Sequence, residues 1–415
     1  MVSTDSRHIE PRSLFFALRG DSFNGNAYAS QALQTGASFA IVDDPEVVAD
    51  ERYLLVGNVL TTLQELARLH RTKFGIPVIA VTGTNGKTTT KELIHSVLSK
   101  KYSILATSGN LNNHIGVPLT LLRLRSETEM AIIEMGANHP GEIDFLCQVA
   151  LPDYGIITNI GRAHLEGFGG FEGVVSAKTE LYRYIRKNGK KVFINGDDAL
   201  LMEQSLGLEQ IIYGAGSDFL AVKNISAGPF VSMDLIFQDN TPVGIHSKLY
   251  GRYNVPNMLA AACVGYFFGV KPEMIREALE NYQPVNNRSQ VTATPHNLLI
   301  LDAYNANPDS MTAAISAFAE ASYPNKTVLL GDMLELGSES DKEHSKILEL
   351  LDMYAFHQVF LVGPSFTRLN TRRDYICFHD SDLARMWLGH HRLENSTVLI
   401  KGSRRIKLEK VVDTL

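Results

Sequence analysis

The stretch VTGTNGKTTTKEL, Val81 to Leu93, gathers glycine, lysine and threonine at a spacing that suits phosphate: Gly83, Gly86, Lys87 and Thr88. Glycines let backbone N–H groups close around phosphate oxygens, a lysine reaches the terminal phosphates, and a threonine hydroxyl suits magnesium. The common phosphate-loop pattern asks for one more glycine where Val81 stands, so the match is partial. Its setting strengthens it. A strand-like run, Val78 to Val81, leads in, and a helix-like face of Leu93, Ile94, Val97 and Leu98 follows. The bland alternative is a glycine-rich turn bearing an exposed lysine.

Other candidate groups follow strand-like runs. Glu134 closes MAIIE, where an acid beside a phosphate loop can hold magnesium. His164 lies in ITNIGRAHLEGFG, in a glycine-rich loop expected to be mobile; it is a possible second metal ligand, although magnesium prefers oxygen to imidazole. Lys178, in SAKTELYRY, sits early in an expected helix and on residue statistics reads as a solvated lysine. Asp302, Asn305 and Asn307 form a polar loop after LLIL, a position that modestly favours a ligand site over a plain turn.

The elements that must position these groups alternate apolar strand, polar turn and helix, the signature of a parallel sheet covered by helices. Residues 1–75 read as a small mixed α/β unit with strands in SLFFAL, FAIVDD and YLLVGN and a helix in YASQALQTG. Gly75 to Pro77 read as a hinge. Residues 76–285 read as a central parallel-sheet unit with strands in VIAV, MAIIEMG, YGIITNIG and KVFINGDD. Residues 286–415 restart the pattern with LLIL, TVLLGD, QVFLVG and TVLIKG, a smaller Rossmann-like domain. Open α/β sheets hold ligands outside the carboxyl ends of their strands, where all these groups fall.

With 415 residues, 45% of them hydrophobic, the chain has room for several cores. A formal charge of −6 and the lack of a long basic tract argue against nucleic-acid binding. Cys147, Cys263 and Cys377 have no metal-ligand spacing and read as buried thiols of a reduced compartment. MLAAACVGYFFGV, from Met258, is shorter than the roughly 20 residues a membrane span needs and reads as a core helix. No charged-then-apolar signal segment opens the chain, so the cytoplasm is the default expectation.

Together these motifs resemble the Mur ligases, the ATP-dependent amide-forming enzymes of peptidoglycan precursor synthesis. STDSR with SLFFALRGDSFNGNAY, TGTNGKTTT, TSGNLNNHIGVPLTLL, IEMGANHPGEI, ITNIGRAHLEGFG, AKTEL, GRYNVPNMLAA, DAYNANPDSM, LGDMLELG and KGSR follow in the family's order. The resemblance implies three α/β domains, with a UDP-sugar on the first and ATP between the second and third. DAYNANPDSM points to the member that adds D-alanyl-D-alanine to UDP-MurNAc-tripeptide through an acyl phosphate. The alternatives are a diamino-acid-adding or folylpolyglutamate-type ligase, or a non-catalytic nucleotide-binding module.

By resemblance, Gly83, Thr84, Asn85, Gly86, Lys87, Thr88 and Thr89 hold ATP, with Asn257 on adenine, Arg288 on the phosphates and Asp302 on the ribose. Thr88, Glu134, His164 and Lys178, the last carbamylated by carbon dioxide, hold Mg2+; Lys87, Lys178, His164 and Glu134 form the catalytic set. Ser3, Thr4, Asp5, Ser6 and Arg7 belong to the UDP end. Asn110, Asn113, Tyr304, Asn305 and Asn307 belong to the peptide end. A monomer without membrane insertion, closing by a large hinge motion, is implied. The chain departs from the family's common residues at Tyr253, Ala303, Arg162 and Asn24 to Asn26, and the family usually carries residues ahead of STDSR.

Overall fold

A computed structural model describes residues 1–284, 287–371 and 374–415. The boundary expected between residues 285 and 286 therefore lies outside the described residues. Three main sheets organise the chain, joined by right-sized helices and a two-stranded ribbon near the start.

The first sheet is parallel, in the order Val2–Ser3, Leu14–Phe16, Phe39–Val42, Tyr53–Leu55. Strand alternation sends Phe15, Ala40 and Val42 to one core and Phe16 and Ile41 to another. The helix Ala29–Gln34 covers the first face. A helix absent from the sequence reading, Val59–Thr72, covers the second with Val59 and Leu63, four residues apart on one stripe. Ile115, Leu119 and Leu122 of the middle unit pack onto that same cluster. At the end of this helix the buried Arg71 guanidinium donates to the Ala150 carbonyl at 3.2 Å and to Asp153 at 3.3 Å. Asp153 also accepts the Val78 N–H at 2.9 Å, so the expected hinge at Gly75 to Pro77 is clasped on both sides.

The middle sheet has nine strands. Six run parallel in the order Gln210–Tyr213, Lys191–Asn195, Tyr154–Ile157, Val78–Thr82, Met130–Glu134, Ile104–Ala106. Leu220–Ser226 joins beside Gln210–Tyr213, and Phe230–Phe237 and Pro242–Tyr250 extend the sheet antiparallel. Sequence reading did not foresee this extension, although Phe230–Phe237 alternates buried and half-buried residues as a one-sided strand should. The order reverses about Val78–Thr82, which opens a crevice at its carboxyl end. Val255–Phe267 is the expected core helix, buried on nearly every side. Among the described residues no helix is long and apolar enough to cross a membrane.

The third sheet runs Gln290–Ala293, Leu298–Leu301, Thr397–Lys401, Lys326–Gly331, Gln358–Val362, Ile376–Phe378, parallel except for its first strand. It has the four expected strands plus one at each edge. Cys147 and Cys263 are buried as expected, but Cys377 sits in the edge strand Ile376–Phe378 and is only half-buried.

Candidate active site between the middle and third units

The phosphate loop is braced before any ligand arrives. Thr84 N–H donates to the Asn159 carbonyl at 2.9 Å, Asn85 N–H to Asn159 Oδ1 at 2.9 Å, and Thr158 Oγ1 to the Asn85 carbonyl at 2.6 Å. Gly83 has φ +137°, and a Cβ there would fall 2.0 Å from Thr158 Oγ1, so this glycine is required by both conformation and space. Gly86, at φ +78°, starts the helix Lys87–Leu98. Lys87 Nζ bends back onto the Gly83 and Thr84 carbonyls at 2.6 and 2.9 Å. Burial pushes its ammonium down to about 8; nearby Glu134 opposes this and Arg288 adds to it.

Glu134 is 1% exposed, not a solvated strand end. Asn112 Nδ2 donates to its Oε1 at 2.7 Å, Thr107 Oγ1 accepts its N–H at 2.9 Å, and Oε2 has no hydrogen-bond partner. A carboxyl oxygen left bare in a buried place asks for a partner, and a cation is one that would suit it. Thr88, buried one residue beyond Lys87, supplies a second oxygen donor of the hard kind that magnesium prefers. These residues fit a magnesium ion on the phosphates of a nucleotide. Among the described residues no cluster of three or more His, Cys, Asp or Glu could hold a metal without such a partner.

A cavity of about 930 Å³ joins these groups. Thr84 to Thr89, Asn110, Asn113, Glu134, His164, Asn257, Arg288, Asp302, Tyr304, Asn305 and Asn307 all line it. Several side chains are already engaged. Asn257 accepts from Thr90 Oγ1 at 3.0 Å and donates to Asn254 at 2.9 Å. Asp302 takes the buried Lys401 ammonium at 2.6 Å. Asn113 Oδ1 caps the helix Gly116–Leu121 through the Ile115 and Gly116 N–H groups. Its neighbour Asn112, overlooked in the sequence, is the one that reaches Glu134. Arg288 lies 3.6 Å from the centre of the Tyr304 ring, with Arg404 over that ring at 4.8 Å.

Lys178 overturns the reading from residue statistics. It closes the helix Phe171–Lys178, is 2% exposed, and lies behind the cavity wall with Nζ 3.4 Å from the Ala137 carbonyl and 5.3 Å from the Phe168 ring centre. The nearest acids are occupied: Glu180 caps through Gly141 and Asp144 N–H, and Glu142 accepts Asn138 and His139 N–H. Burial, with Lys87 adding to it, pushes the Lys178 ammonium down to about 7. The loop expected to be mobile is tied in at its start, where Gly161 N–H donates to Thr84 Oγ1 at 2.9 Å, and it forms the helix Leu165–Phe168 beside His164.

Several contacts bind the third unit to the middle one across the cavity, among them Tyr253 Oη and Asn254 Nδ2 on Ser289 Oγ at 3.0 and 3.2 Å. Asn307 Nδ2 donates to Asn85 Oδ1 at 2.8 Å, Arg162 N–H to Asp309 Oδ2 at 2.6 Å, and His164 Nδ1 pairs with the Glu335 carboxylate. Ser3, Thr4, Asp5, Ser6 and Arg7 stand apart, on the first unit outside the cavity, half-buried at the end of the strand Val2–Ser3 except for the exposed Arg7, which donates twice to Asp5 at 2.8 Å.

The sequence matches the Mur ligase family catalytic domain over residues 1–80, the Mur ligase middle domain over 81–265, and the Mur ligase glutamate ligase domain over 287–404. The chain belongs to the Mur ligase family. One Mur ligase relative, the UDP-N-acetylmuramoyl-tripeptide--D-alanyl-D-alanine ligase of Bacillus subtilis (strain 168), is 34% identical, the alignment covering 100% of this chain and 92% of the relative. Among solved Mur ligases, MurF from Acinetobacter baumannii superposes with a TM-score of 0.90 at 33% identity, covering 99% of this chain and 92% of that one. MurF ligase from Thermotoga maritima, solved in complex with ADP, gives 0.87 at 27% identity, covering 100% and 96%. The three-domain α/β architecture of this Mur ligase is thus that of its relatives, one of which was solved holding ADP.

Proposed function

We propose that this chain adds D-alanyl-D-alanine to UDP-MurNAc-tripeptide, driven by ATP, in the last cytoplasmic step that builds the UDP-MurNAc-pentapeptide of peptidoglycan. The observation that supports the chemistry most is the meeting, in one cavity, of the braced loop at Lys87, the bare Oε2 of Glu134, and Arg288 from the third unit. Likeness along almost the whole chain to a UDP-N-acetylmuramoyl-tripeptide--D-alanyl-D-alanine ligase and to a solved MurF supports the choice of amine.

A carboxylate acylates poorly because oxide cannot leave. Attack of the tripeptide's terminal carboxylate oxygen on the γ-phosphorus forms an O–P bond and expels ADP, giving an acyl phosphate. The D-alanyl-D-alanine amine then adds to the carbonyl, phosphate leaves, and the nitrogen loses its proton. Lys87 must release the Gly83 and Thr84 carbonyls to meet the phosphates, and a group that titrates near 8 remains a cation at pH 7. Lys87 and Arg288 offset the charge spreading over the transferring group. Asn110 and Asn113 flank the place where carboxylate and phosphate meet, and Tyr304, Asn305 and Asn307 face the incoming dipeptide. Thr88 and Glu134, with His164, would hold magnesium, which when bound neutralises phosphate charge.

Lys178 takes up carbon dioxide in this proposal: its neutral amine nitrogen bonds to the carbon, loses a proton to water, and becomes a carbamate. Two features support this. The buried amine is half neutral near pH 7, and its neighbouring acids are already occupied. A carbamate also offers the oxygen that an amine cannot give to magnesium.

The units 1–75, 76–285 and 286–415 would hold the UDP-sugar, at Ser3 to Arg7, then ATP, then the dipeptide. One chain supplies all three, which supports a monomer, and dependence on ATP and a nucleotide sugar supports a cytoplasmic location. The test is phosphate release from ATP with UDP-MurNAc-tripeptide and, in separate assays, D-alanyl-D-alanine, diaminopimelate, lysine or glutamate. Turnover with the dipeptide is expected. Turnover only with a single amino acid, or with none, overturns the proposal.

A further inference from the structure

We infer that Glu335 is a positioning residue: the third unit carries its carboxylate to His164 Nδ1, so docking of that unit fixes the histidine ring at the cavity. The inference rests on the ligase reading above for its kinetic consequence, but not for its geometry.

Glu335 is held where a glutamate does not choose to be. Its φ is +64°, a left-handed conformation that a residue with a Cβ seldom adopts. Strain of this kind persists only when the surroundings over-determine it, and here they do. The residues on either side are pinned. Buried Asp332 accepts the Ser365 and Phe366 N–H groups at 2.8 and 2.9 Å. Met333 N–H donates to His344 Nε2 at 3.1 Å, and Leu334 N–H to Ser403 Oγ at 2.9 Å. His344 itself is fully buried, and its Nδ1 donates to the Ser340 carbonyl at 2.7 Å, which leaves Nε2 as the acceptor Met333 needs. Leu336 is buried on the other side. Glu335 is the member of this run whose side chain projects, half exposed, toward the middle unit.

What it meets is equally set. His164 has φ +52° at the head of Leu165–Phe168, and Gly337, two residues past Glu335, seats its backbone against Glu166 of that same helix. With Nδ1 committed to Glu335, Nε2 is the ring nitrogen left to the cavity that His164 lines; it has no hydrogen bond among the described residues. A carboxylate on the far nitrogen is the usual way a histidine's tautomer and ring orientation are fixed. The difference here is that the carboxylate arrives from another unit, so the ring is set only while the third unit is docked. An incidental surface ion pair would need neither the strained backbone nor the pinned loop.

The test uses the full chain with Glu335→Ala and Glu335→Gln. Long-range proton–nitrogen NMR of His164 reads the ring directly: the wild type should show one tautomer, with hydrogen on Nδ1, and Glu335→Ala a mixture. Kinetically, Glu335→Ala should lower kcat about 10- to 100-fold with the KM for UDP-MurNAc-tripeptide and the ADP affinity unchanged, and Glu335→Gln should recover part of it. An unchanged tautomer in Glu335→Ala, or an unchanged kcat, overturns the inference. A wild type without turnover would instead count against the ligase reading, and the NMR result would still decide the geometry.

Discussion

Asn112 Nδ2 lies 2.7 Å from Glu134 Oε1 and leaves Oε2 without a partner. The amide fixes which carboxylate oxygen stays bare. Asn112→Ala should free the carboxylate to turn and raise the magnesium concentration for half-maximal activity about 10-fold or more. A magnesium titration of phosphate release reads this, and an unshifted midpoint would remove Asn112 from the site.

Carbamylation of Lys178 should follow its protonation. The buried amine is neutral above about pH 7 and protonated below it. With 13C-bicarbonate, a carbamate carbon signal should therefore grow as pH rises through 7 and vanish on acidification. Lys178→Ala should lack the signal, lose activity, and regain part of it with added formate.

The same shift has a sign for stability. Lys178 and Lys87 titrate lower in the fold than in the unfolded chain, so between the folded and unfolded values the unfolded state binds more protons. Urea midpoints of the unliganded protein should rise with pH from about 7 toward about 10. Lys178→Met should flatten that rise; a slope equal to the wild type's would show that the amine is not buried.

Lys87→Ala removes a cation that meets the phosphates in the transition state, and kcat should fall about 100- to 1000-fold. Gly83 and Thr84 lose a resting contact, but the burial cost that lowers the Lys87 titration goes too, so the thermal midpoint should not fall. Comparing calorimetry with turnover separates the two effects.

Gly363, at φ +127°, faces Asp332, and a Cβ there would sit 2.3 Å from Asp332 Cγ. Gly363→Ala should cost roughly 1–3 kcal/mol or more through backbone strain. Asp332→Ala, which strands the Ser365 and Phe366 N–H groups, should cost about 1–3 kcal/mol for each. Chemical denaturation measures both.

The strands around the cavity were legible because buried parallel strands are continuous apolar runs ending in turn residues. Val81 looked like a missing glycine, yet Gly83 in the same loop was there to take up the turn, and it has the positive φ that the turn needs. Lys178 was misread on its own residue type, since nothing local shows that Phe168 and Ala137 fold over it; the family resemblance alone marked it. Asn112 stands between two asparagines in one loop, and only the position of Glu134 on a neighbouring strand tells them apart. Glu335 depends on a contact between distant segments, which no local pattern records. The helix Val59–Thr72 did carry a signal, an apolar stripe at helical spacing, that was not read.

The two joints of this chain are built alike. Arg71 and the apolar seam of Leu63, Leu119 and Leu122 join the first unit to the middle one, while the third docks through Asn307, Asp309 and Glu335 around the Tyr250 and Tyr323 rings. Salts such as sulfate strengthen apolar burial. Ammonium sulfate would thus stiffen both joints at once, giving a single solution variable that holds the three units together.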